Sequence, residues 1–151
     1  MKGDLLMGLY ENDNRNFYPK VVEGMDWRCD YLWSTHRGCP FDCIYCSSKK
    51  LNVRFGGDPC YIRRLKGEWI KDDEVEVIKY RIFGNKGIFV SPYNDIMTVP
   101  DRDIRQILDV CNAGVDTQFI FQTKDTAKYF EYRDFIPRGS WLGTTIETNL
   151  Y

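Results

Sequence analysis

The spacing of apolar residues changes along the chain, and each change marks an element. Tyr31-Leu32-Trp33-Ser34-Thr35 is a short apolar run that predicts a buried strand. Gly87-Ile88-Phe89-Val90-Ser91 is a second, of the kind that fills a parallel sheet covered on both faces. From about Pro100 to Ala113 the period lengthens. Ile104, Ile107, Leu108 and Cys111 recur at i, i+3, i+4 and i+7, which places one apolar stripe on a helix. Pro100 suits the first turn, Asp101 and Asp103 suit its positive dipole end, and Gly114 is a stop. Phe119-Ile120-Phe121-Gln122 predicts another strand, after which Asp125 is placed to cap a helix running to Tyr132 or Phe135. Pro137 and Gly139 break that helix, and Trp141 to Thr148 reads as the last strand.

Strands alternating with helices predict an α/β fold of repeated βαβ units around a parallel sheet. Four units can be counted, with strands near residues 31, 88, 119 and 142. Residues 1–26 are polar and aperiodic, with Asn12, Asp13, Asn14 and Asn16 together. They are expected to form an extension draped on a domain of residues 27–151. Between the first two strands, Gly56-Gly57-Asp58-Pro59 is a turn, and Val75 to Tyr80 alternates like a strand or an edge hairpin.

Composition narrows the class. The 151 residues, 43% hydrophobic and 15% aromatic, suit one folded domain rather than a disordered chain. A net charge of −1 gives no overall signature of nucleic-acid binding. Lys49, Lys50, Arg54, Arg63, Arg64 and Lys66 form a local basic stretch that reads as solvated surface before it reads as a phosphate patch. No apolar run has the length of a membrane span, and Leu5-Leu6-Met7 is too short for the core of a signal peptide. A cytoplasmic, reducing location is therefore expected, and the six cysteines do not read as a disulfide framework. Cys29, Cys60 and Cys111 are expected to be small buried apolar groups.

Cys39, Cys43 and Cys46 are different. They form a C-x3-C-x2-C triplet within eight residues, so one short loop brings three thiolates to one soft metal centre. A 4Fe-4S cluster ordinarily takes four cysteines, and a loop that supplies three leaves one iron open to a non-protein ligand. Zinc held by these cysteines and His36 is the competing reading. Zinc modules divide their ligands into two separated pairs, and no second pair follows this triplet.

The triplet resembles that of the radical S-adenosylmethionine enzymes. Tyr45 corresponds to the aromatic that this family places against the adenine. The resemblance continues through Trp33-Ser34-Thr35, Phe89 to Asp95 with Val99-Pro100-Asp101, Thr123-Lys124, and Leu142 to Asn149. It covers roughly residues 27–151 and is nearest to a phage-associated subgroup distantly similar to spore photoproduct lyase. Pro92-Tyr93-Asn94 and Ser47 depart from the subgroup pattern.

The resemblance implies a partial TIM-type (β/α) barrel, of which this chain would hold about the first four β/α units of six. The chain would then be a fragment, a truncated reading frame or one part of a split enzyme. Its last strand would be left as an uncovered edge, with Leu142 and Ile146 bare. The implied cofactors are a 4Fe-4S cluster on Cys39, Cys43 and Cys46, and S-adenosylmethionine at the carboxyl ends of the strands, where parallel β/α folds bind ligands. Ser91 and Asp95 stand where the family meets the methionine ammonium, with Asp95 favoured by its charge. Lys124 would meet the methionine carboxylate or a substrate phosphate. Period-two geometry puts Thr145 and Glu147 on the lumenal face, where Glu147 would suit the ribose hydroxyls. Reductive cleavage would yield a 5′-deoxyadenosyl radical, with electrons from a flavodoxin- or ferredoxin-type donor. The substrate stays open; nucleic acid is conceivable through the distant relative. The alternatives are a non-catalytic zinc module of three cysteines and one histidine, and an inactive fragment of a radical enzyme.

Overall fold

The computed structural model describes residues 9–13, 19–41, 43, 46–54, 56, 58–64, 86–114 and 116–145. Tyr45, Glu147 and Ile146 lie outside the described residues, as does the strand or hairpin expected at Val75–Tyr80.

Four strands run parallel and lie side by side in chain order: β2 (Tyr31–Trp33), β5 (Lys86–Val90), β6 (Thr117–Thr123) and β7 (Trp141–Thr144). The register aligns Leu32, Phe89, Ile120 and Trp141 in one row across all four. That row, with Cys29 and Trp27, makes a small apolar cluster on one sheet face. Trp33, Ile88, Val90, Phe119 and Phe121 point the other way, into the main core.

Helix α2 (Asp101–Asn112) covers the main-core face. The expected stripe of Ile104, Ile107, Leu108 and Cys111 is buried; Pro100 stands at the N-cap rather than in the first turn, and Ala113 at the C-cap, just before the expected stop at Gly114. Burying one such side chain contributes about 1.5–3 kcal/mol, so this stripe is the main anchor of the helix. Helix α3 (Ala127–Glu131) is shorter than expected, and Asp125 does not cap it through its side chain. Thr126 stands at the cap without a side-chain bond, and Asp125 contributes only its carbonyl, to Lys128 N. Tyr129 anchors this short helix instead, its hydroxyl lying 2.7 Å from the Gly143 carbonyl and 3.1 Å from that of Phe121. Burial pushes the Tyr129 phenol well up.

The N-terminal residues do more than drape. Strand β1 (Leu9–Glu11) pairs antiparallel with β2, Leu9 opposite Trp33 and Glu11 opposite Tyr31. A three-residue strand shows no period, so its pairing is dictated by the open hydrogen-bonding edge of β2. Two further short strands, β3 (His36–Arg37) and β4 (Arg63–Arg64), form a separate antiparallel pair beside the cysteine loop. Gly87 sits where a side chain cannot: an added Cβ would lie 1.6 Å from the Arg28 carbonyl oxygen. The approach is fixed by Asp30 N donating to the Gly87 carbonyl and Gly87 N to Asp30 Oδ2. Leu142 faces outward from β7 and is 49% exposed. Among the described residues, no helix is long and apolar enough to cross a membrane.

Candidate functional site

The carboxyl ends of β5, β6 and β7 converge with the cysteine loop on a cavity of about 250 Å³. Cys39, Cys43, Cys46, Ser91, Asp95, Lys124 and Thr145 all line it. Seven of the residues singled out from sequence are thus brought together, although they span more than a hundred positions.

The cysteine loop is set by its neighbours. Gly38 takes φ +84°, and a Cβ there would lie 1.9 Å from the Tyr61 carbonyl oxygen. Cys39 N donates to the Pro59 carbonyl at 2.9 Å. The β3–β4 ladder pairs His36 with Arg64 and holds the same two segments together. Helix α1 (Ser47–Arg54) starts directly after Cys46, whose N–H donates to the Cys43 carbonyl. Lys124 Nζ donates to Cys43 Sγ at 2.7 Å and lies 5.7 Å from the centre of the Phe41 ring. A positive charge thus stands against a sulfur that must be negative to ligate a metal. Burial pushes the Cys39 thiol up.

Asp95 is the most heavily engaged group at the site. Its Oδ1 accepts from Thr123 Oγ1 at 2.7 Å and Met97 N at 3.0 Å, while Oδ2 accepts from Lys124 N at 2.8 Å. It caps the 3-10 turn Ile96–Thr98 and ties the end of β5 to that of β6. Its first role is to hold the cavity wall in place. Ser91 takes φ +56°, unusual for a side-chain-bearing residue, and its N–H donates to the Trp33 carbonyl at 2.7 Å. Thr145 Oγ1 accepts from Gln122 Nε2 at 3.0 Å. Gln122, on the strand before it, is a cavity residue that sequence reasoning missed. Its period-two position opposite Phe121 was the available signal.

Asn94 was also missed. It lines the cavity, and both its amide atoms are buried with no hydrogen-bond partner among the described residues. A buried polar group left so costs about 1–3 kcal/mol, which native structures tolerate where a ligand completes the bond.

Two cysteine readings part company. Cys29 and Cys111 are buried as expected, and burial raises both thiols, Cys29 to about 11. Cys60 is exposed and lines a small pocket of about 20 Å³ with Cys39, Cys43 and Cys46. A position 14 residues beyond the triplet gave no local sign of this, because the contact is made by the β3–β4 ladder. His36 is a buried strand residue rather than a loop residue. Both of its ring nitrogens have partners, Thr35 Oγ1 at 3.0 Å and Asp103 Oδ2 at 2.8 Å. Among the described residues, no three thiol, imidazole or carboxylate groups stand close enough to hold a single metal ion as they lie. What the triplet offers is three soft donors around a shared cavity, beside an orphaned amide and a lysine. That donor set fits a cluster larger than one ion.

Comparison with known proteins returned no matching family model, no matching curated protein and no matching solved structure.

Proposed function

We propose that this chain is the cluster-binding core of a radical S-adenosylmethionine protein. Its four parallel strands would be the first β/α units of a partial barrel. One observation carries the reading: Cys39, Cys43 and Cys46 line a cavity at the carboxyl ends of parallel strands, and that cavity holds an Asn94 amide without a partner among the described residues. When bound, a 4Fe-4S cluster with one iron unclaimed by protein supplies the electron that splits the sulfonium C–S bond of S-adenosylmethionine.

The chain's own residues bind and orient. Cys39, Cys43 and Cys46 would hold the cluster, and Lys124 offsets charge at Cys43. Asp95 keeps the ends of β5 and β6 together. Ser91, Asn94, Gln122 and Thr145 offer hydrogen bonds to a polar ligand, and Phe89 and Phe41 keep water from part of the wall. A one-electron donor of flavodoxin or ferredoxin type and a reducing cytoplasmic setting complete the requirement.

The test is anaerobic reconstitution with iron and sulfide, followed by addition of S-adenosylmethionine and dithionite. Brown protein with about four irons per chain, yielding 5′-deoxyadenosine, is the expected result. Colourless protein that retains one zinc would overturn it.

A second reading rests on Cys60. Four thiols line one small pocket, and drawn closer than they lie they would be the donor set of a closed, all-cysteine zinc site. Cys60→Ala separates the two: it abolishes metal binding in a zinc site and spares a three-cysteine cluster.

A further inference from the structure

Four side chains from separate parts of the chain form one continuous buried hydrogen-bonded line. Asp103, in the first turn of α2, lies 2.8 Å from His36 Nε2. His36 Nδ1 lies 3.0 Å from Thr35 Oγ1, and Thr35 Oγ1 lies 2.7 Å from Ser91 Oγ. All four residues are buried, His36 being 1% exposed, and the line ends at the cavity wall on the residue with positive φ. Nothing in the packing of the core requires this. Apolar residues would fill the same space without four polar groups to satisfy.

The line has a direction, set by which atoms can donate. Asp103 accepts, so His36 carries its proton on Nε2. If the buried imidazole is neutral, its Nδ1 is bare and accepts from the Thr35 hydroxyl. Thr35, having given up its proton there, accepts from Ser91. The Ser91 hydroxyl is left with lone pairs only for anything in the cavity. A charged imidazolium would keep the bond to Asp103 but reverse the two beyond it, and make Ser91 a donor. Burial disfavours that charge, and Asp103 has other positive neighbours. Its carboxylate stands at the positive end of α2, with Arg102 Nε 3.8 Å from Oδ1.

We propose that Asp103, His36 and Thr35 are positioning residues that fix Ser91 as a hydrogen-bond acceptor, so that the cavity prefers a ligand bearing an N–H donor at that point. The identity of the ligand rests on the proposed function, under which the donor is the amino group of S-adenosylmethionine. The direction of the relay does not rest on it.

His36 is the single histidine of the chain, so its ring nitrogens can be read by 15N NMR without assignment. The expected spectrum is one fixed tautomer, protonated on Nε2 and bare on Nδ1. Asp103→Asn offers an amide N–H to Nε2 and should move the proton to Nδ1, inverting the line. Binding to anaerobically reconstituted protein is then compared for S-adenosylmethionine and its analogue lacking the amino group. Asp103→Asn should weaken the parent by about tenfold or more relative to the analogue. Thr35→Val should erase the preference, while Thr35→Ser should keep it, and this second pair carries the test if Asp103→Asn fails to fold. An Nδ1–H or rapidly averaging imidazole in the wild type would overturn the relay, as would an unchanged affinity ratio in both Asp103→Asn and Thr35→Val. If the wild type binds neither compound, the proposed function and the ligand assignment fall, and the tautomer spectra still decide the relay.

Discussion

The two halves of the cavity are built on opposite plans. On the strand side, Asp95 accepts three hydrogen bonds, Ser91 and Thr123 are buried, and the β5 and β6 ends are locked to each other. On the loop side, three thiols stand half-buried around open space, steadied by backbone contacts and one lysine. One half, the Asn94 amide apart, is complete without a ligand. The other is arranged to be completed by one. The difference separates stability from loading: changes on the strand side should unfold the protein, and changes on the loop side should empty it.

The largest effect expected is on the loop. Cys39→Ala, Cys43→Ala or Cys46→Ala should each lose most iron and sulfide after anaerobic reconstitution, while the midpoint of urea unfolding of the metal-free protein moves little. Cys29→Ala, Cys111→Ala and His36→Ala should keep the metal. Iron retained in Cys43→Ala would sink the ligand assignment. Asp95→Ala probes the strand side. It leaves Thr123 Oγ1 and the N–H groups of Met97 and Lys124 without their acceptor, and should cost about 3–5 kcal/mol in urea unfolding. A loss below about 1 kcal/mol would show that this wall is not locked.

Alkaline pH should expose the burial of one scaffold thiol. Cys29 is held protonated in the fold to about pH 11, so between pH 9 and 11 the unfolded chain binds fewer protons than the native one. Stability contributed by the neutral thiol is therefore present below pH 9 and lost as pH rises, by on the order of 2 kcal/mol. Urea unfolding of wild type and Cys29→Ala across that range checks the sign, and equal slopes would remove Cys29 as the cause. The smallest effect belongs to Leu142→Ser. Leu142 lies at the exposed surface of β7, and its change should stay within about 0.5 kcal/mol.

Wherever one periodicity governed several residues, the chain was readable. The α2 stripe and the starts of the four parallel strands lie within a residue or two of their expected places, because burial of one face dictates them, while the last strand ends at Thr144, short of the expected Thr148. The cysteine triplet is local and announces itself. What stayed hidden was carried by pairs far apart in sequence. His36 meets Asp103 across 67 positions, Lys124 meets Cys43 across 81, and Asn94 looks from sequence like any turn residue. Strand β1 was hidden for a different reason, being too short to have a period at all.

The close approach at Gly38 makes the cysteine motif poorly portable. Its leading glycine is shaped to the Tyr61 carbonyl, and its first cysteine hangs from the Pro59 carbonyl. A designer who grafted residues 38–46 alone onto another β/α scaffold would transplant the sulfurs without their mounting. The unit to move is the loop together with residues 58–64, two segments that must be cut and pasted as one part.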